Sequence, residues 1–139
     1  MELDVRAFQG YVQIYGAFMI SNPKELLALI REKPEMYIGF SSVVKLQAFL
    51  DGYWFARYEM NGGRNGLSTA NESLINGFPD IGFQKMVEER FSIVQSISWA
   101  EILTFVSGDE RKGLELFWKL WDEYVANQEI NSERELSSE

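Results

Sequence analysis

From Val43 onward the chain places Val43, Leu46, Phe49, Leu50, Tyr53, Trp54 and Arg57 at steps of three and four, the spacing of one side of an α-helix. Ser41 and Ser42 stand before the series as helix caps. An earlier helix opens at Asn22, Pro23 and Glu25, in the order of N-cap, first-turn proline and capping acid, and buries Leu26, Leu27, Leu29 and Ile30. It should stop near Lys33, because Pro34 disfavours helical geometry in the residue before it. Asn61 to Gly77 is rich in Gly, Asn and Ser without apolar periodicity and reads as a long loop.

After that loop, Asp80 is placed to cap a short helix carrying Phe83, Val87, Arg90 and Phe91. Ser98 with Glu101 forms a capping box ahead of WAEILTFV, and Ser107 with Glu110 spells a second one. The last helix is expected from about Asp109 to Asn127, burying Leu114, Phe117, Trp118, Leu120, Trp121, Tyr124 and Val125 against the Val43–Tyr58 helix. Residues 1–20 are dense in β-branched and aromatic types and punctuated by Gly10 and Gly16. A short β-hairpin and a short helix fit that segment almost equally well. The expected fold is therefore mainly α: a single-domain bundle of about five helices over residues 21–128, with an N-terminal extension and a polar tail at 129–139 that should fray.

A length of 139 residues, 46% of them hydrophobic, suits one domain with a real core. Tryptophans 54, 99, 118 and 121 fall at helix-face spacing and are assigned to packing. No stretch reaches the roughly 18 consecutive apolar residues of a membrane span, and the opening MELD is acidic where a signal peptide is basic. The sequence expectation is a cytoplasmic protein that engages no membrane. With neither histidine nor cysteine, Ser-His-Asp and Cys-His catalysis, disulfides and the common zinc sites are excluded. The expectation is no enzyme, no metal and no cofactor. The net charge of −8 repels phosphate backbones, so direct nucleic-acid binding is not expected.

The segment KPEMYIG resembles the lead-in to the nucleotide site of gyrase-type ATPases. The following VVKLQAFLDGYWFAR carries aromatics in place of that family's Asn-x-x-Asp signature, leaves Asp51 alone, and is followed by no DxGxG segment. A structural corner is the better reading: Pro34 ends a helix, Met36, Tyr37 and Ile38 fill the gap between helices, and Gly39 permits the tight turn. Taken together, KPEMYIG, KLQAFLDGYWFA, FQKMVEERF, SWAEIL and ELFWKLWDEY resemble a group of small bacterial proteins with an RPxMYIG / LxxFLxGYxxA pattern. The similarity runs over about residues 26–124 and implies a place in toxin–immunity or related conflict loci.

Glu88 with Glu89, and Asp122 with Glu123, are adjacent pairs whose members point about 100° apart on a helix, so neither pair alone clamps a metal. Together with Asp51 and Glu59 they supply acid to several helices with few lysines nearby, the complement of a basic protein partner. The sequence expectation is a non-enzymatic immunity protein that neutralises a toxin, a nuclease for example, by occluding its active cleft. A phage-encoded inhibitor of a bacterial defence complex is the alternative, a nucleotide-binding regulator using Asp51 a further one. A homodimer joined through residues 1–20 is the purely structural reading.

Overall fold

A computed structural model describes residues 23–60, 62 and 81–138. Six helices and no strand are found among the described residues: α1 (Pro23–Glu32), α2 (Pro34–Ile38), α3 (Val43–Met60), α4 (Ile81–Arg90), α5 (Trp99–Ser107) and α6 (Glu110–Ser137). The protein is mainly helical, as the periodicity implies. The expected N-terminal hairpin, the Asn22 and Asp80 caps and all but Gly62 of the 61–77 loop lie outside the described residues. The chain divides into two compact units, Met1–Lys33 and Pro34–Glu139.

In the first unit, α1 turns Leu26, Leu27 and Ile30 inward, all almost wholly buried, and leaves Lys24, Glu25, Glu32 and Lys33 exposed. The Lys33 amide donates to the Leu29 carbonyl at 3.3 Å, so the last turn closes just before Pro34 begins α2. A proline at the first helical position costs no hydrogen bond, since that amide has no partner in a helix anyway.

In the second unit, α5 and α6 form a helical hairpin turned at Gly108, whose φ of 98° is the left-handed geometry that glycine reaches without strain. Helix α3 packs on both arms of this hairpin, as does α4, and the backbones of α3 and α4 do not come close to each other. The expected contact of the last helix with the Val43–Met60 helix is present. Gly113 permits it: a Cβ there would stand 2.7 Å from Val43 Cγ1 and 3.4 Å from the Leu103 carbonyl.

On the α4 side the core is aromatic. The Phe83 ring meets Trp99, Phe117, Trp121 and Tyr124 edge-on, with centroids 5.4–5.8 Å apart. Edge-to-face contacts of this kind add about 0.5–1.5 kcal/mol each to simple burial. Of the four tryptophans assigned to packing, Trp99 and Trp121 are buried, while Trp54 and Trp118 are half-buried. Tyr124 and Val125, placed in the core by periodicity, are half-buried as well.

Three expectations are corrected. Ser107 does not cap α6: it ends α5, and Asp109 takes the cap, accepting from the Lys112 amide at 2.7 Å. A carboxylate one residue before the helix competes better for that role than a serine already held in helical geometry by Leu103. Glu110 is thereby freed to accept from the Ser42 hydroxyl at 2.7 Å, which itself caps α3 through the Lys45 amide at 3.1 Å. Second, Met36 fills no gap and is 74% exposed; only Ile38 of the corner is buried, while Tyr37 packs edge-on against Phe49. Third, the tail does not end the helix at Asn127: α6 continues to Ser137, with 129–138 exposed throughout. Glu, Arg, Leu and Gln in that stretch are good helix formers, and Gln128 reaches back to the Tyr124 hydroxyl at 2.7 Å.

Candidate protein-binding surface

Helix α4 ends in a Schellman motif. The Ile93 amide donates to the Glu88 carbonyl at 2.9 Å and the Ser92 amide to the Glu89 carbonyl at 3.3 Å, with Ser92 in the left-handed region at φ 55°. The backbone beneath Glu88 and Glu89 is thus fixed in place. Both carboxylates sit in the last turn of α4, where the helix dipole opposes them by about 0.3–1 kcal/mol each. Gln84 offsets part of this, donating to Glu88 at 2.8 Å. The same amide group donates to the Ile97 carbonyl at 2.9 Å and its oxygen accepts from the Trp99 amide at 2.7 Å, which ties the 91–98 connection to α4.

Arg90 then reaches to α6 and pairs with Glu123 at 2.6 Å. Both side chains are more than a third exposed, so the pair contributes well under about 1 kcal/mol. Its geometric effect is larger: it brings the end of α4 beside the middle of α6, with Glu89 next to Arg90 and Asp122 next to Glu123 in sequence. Of the six acids singled out by sequence, Glu123 is thereby held beside the end of the helix that carries Glu88 and Glu89, with Arg90 between the two helices.

Asp51 and Glu59 belong elsewhere. Both lie exposed on α3, which packs on the α5–α6 hairpin with its backbone away from α4. Partial desolvation on α3 raises the Asp51 carboxyl above its ordinary value. Among the described residues no three acidic side chains converge in a way that would hold a metal ion. No helix among them is long and apolar enough to cross a membrane.

No family model, curated protein or solved structure matches this chain. Function must therefore be read from its surfaces. The KPEMYIG segment folds as a corner: Gly39 takes a φ of 83°, and the Lys45 ammonium lies 4.0 Å above the Phe40 ring just beyond it. Three contributors went unread in the sequence. Arg90 was grouped with the apolar positions Phe83, Val87 and Phe91, and Gln84 and Gly113 went unremarked. An isolated glycine within an otherwise helical run is the one signal that could have marked a close approach of backbones there.

Proposed function

We propose that this protein is a non-enzymatic binder that neutralises a basic protein partner by laying the α4–α6 acidic edge across that partner's cationic cleft. A bacterial toxin of the nuclease class is the partner this chemistry fits, because a cleft built for phosphate presents Lys and Arg that carboxylates can occupy. The observation that carries the reading is the placement of Glu88 and Glu89 in the last turn of α4, against its dipole, where the neighbouring Arg90 pairs with Glu123 of α6. A fold that tolerates unfavourable charge at a fixed position usually retains it for a task outside folding. The resemblance of KPEMYIG and KLQAFLDGYWFA to proteins of immunity loci points the same way. A cytoplasmic site of action accords with it.

The test is a capture experiment from host lysate with the parent protein and with a Glu88→Gln, Glu89→Gln, Asp122→Asn variant, at low and high salt. The expected outcome is one basic protein held by the parent, released by salt, and lost from the variant while the melting temperature stays within a few degrees. Equal retention by parent and variant would show that the acidic edge is not the binding surface.

A further inference from the structure

Among the described residues, nothing covers one long face of helix α3. Val44, Lys45, Ala48, Asp51, Gly52, Phe55, Ala56, Glu59 and Met60 are all exposed, and Phe55 is open over 58% of its surface. Val44, Phe55 and Met60 make the apolar part of this face, with small residues at Ala48, Gly52 and Ala56 between them. The face also has a symmetry of its own. Lys45 and Glu59 each stand seven positions from Gly52, and Ala48 and Ala56 each stand four positions from it. Seven residues advance a helix by about 20° short of two full turns, so Lys45, Gly52 and Glu59 share one line along the helix.

We propose that this face binds the same face of a second copy of the chain, the two α3 helices antiparallel and crossing with Gly52 opposite Gly52. A two-fold contact must be self-complementary, each residue meeting the surface that its own mate presents. Reversal about Gly52 does this: Lys45 of each copy comes opposite Glu59 of the other, and each Phe55 lies over Ala48 of its mate. Neither Lys45 nor Glu59 has an ion-pair partner among the described residues of its own chain. At the crossing point nothing lies within 4 Å of where a Gly52 Cβ would be, so two backbones can approach closely there.

The contact is modest in extent. An 18-residue helix is about 27 Å long, and one helix pair of that length falls in the small, transient class of interfaces. The dimer is therefore a weak one, with a dissociation constant on the order of tens of micromolar. Because the backbones of α3 and α4 stay apart, dimerisation leaves the α4–α6 acidic edge of each copy open. Glu59 then serves this contact and not the capture of a basic partner.

Sedimentation velocity of the full chain across about two decades of concentration around that value tests the proposal. Parent protein should shift from monomer to dimer, and Gly52→Leu should remain monomeric at every concentration. That variant keeps its fold, since the site is open and leucine is the better helix former. Lys45→Glu and Glu59→Lys should each weaken association about tenfold or more, and the double exchange Lys45→Glu/Glu59→Lys should recover most of it. A parent that stays monomeric overturns the proposal. So does a dimer indifferent to Gly52→Leu, which would place the contact on another surface.

Discussion

Replacing Gly113 by alanine sets two opposite effects against each other. In an exposed helix interior the change stabilises by about 1 kcal/mol, because alanine loses less backbone freedom on folding. Here the new methyl would sit 2.7 Å from Val43 Cγ1 and 3.4 Å from the carbonyl of Leu103. Carbon atoms pack comfortably at about 3.5–4.0 Å, so the overlap with Val43 is on the order of 1 Å. Val43 is fully buried and β-branched, with a single strongly preferred rotamer in a helix, and cannot swing aside. The remaining escape is for α6 to move away from α3, which would stretch the Ser42–Glu110 hydrogen bond that joins the same two helices. Overpacking of this kind costs about 1–3 kcal/mol and outweighs the gain in helix propensity.

Gly113→Ala should therefore destabilise the protein by about 1 kcal/mol. Val43→Ala alone removes two buried methyl-sized groups and should cost about 2 kcal/mol. In the double variant the alanine methyl occupies the space that Val43 vacates, so the total should be about 1 kcal/mol and not the sum of about 3. Equilibrium urea unfolding followed by helical circular dichroism, at one fixed protein concentration, measures all four corners of this cycle. A Gly113→Ala variant more stable than the parent, or a cycle additive to within about 0.5 kcal/mol, would refute the close contact of α6 with Val43.

Ser42→Ala removes both the cap of α3 and the bond to Glu110, and should lower stability by about 1–2 kcal/mol in the same assay; Glu110→Gln, which keeps an acceptor, should lose less. Ser92→Gly relieves a left-handed serine and should raise stability by about 0.5 kcal/mol once the greater freedom of glycine in the unfolded chain is deducted. For Asp51, the raised carboxyl means that the folded state holds its proton more tightly than the unfolded chain does. Its contribution to stability is present below the ordinary value of 3.8 and is lost as pH rises through the higher folded value. Asp51→Asn should accordingly match the parent near pH 3 and melt above it at pH 7; a difference that stays flat or shrinks with rising pH would contradict the assigned burial.

Helix identity was legible from local chemistry. Steps of three and four placed α3, Pro34 closed α1, and Ser98 with Glu101 formed the capping box that opens α5. Each of these features involves groups a few residues apart, whose interaction is fixed by helix geometry before any tertiary contact is made. The choice between Ser107 and Asp109 as the cap of α6 was misread, since two adjacent candidates compete and the outcome depends on where α5 stops. The extent of α6 was misread for a related reason. Polarity in 129–137 was taken as lack of structure, although the residues that carry it favour helix.

What the sequence determined by itself was therefore five of the six helices, the capping box at Ser98 and the acidic excess. Tertiary structure alone decided which acids share a surface. The Arg90–Glu123 pair sets the acidic end of α4 beside α6, whereas Asp51 and Glu59 lie on α3, whose backbone stays away from α4. A helix presents side chains all round its axis, and periodicity says which of them are apolar. It does not say which neighbour will cover each side. That is settled by contacts between residues far apart in the chain, such as Ser42 with Glu110 and Val43 beside Gly113, and only the folded protein contains them.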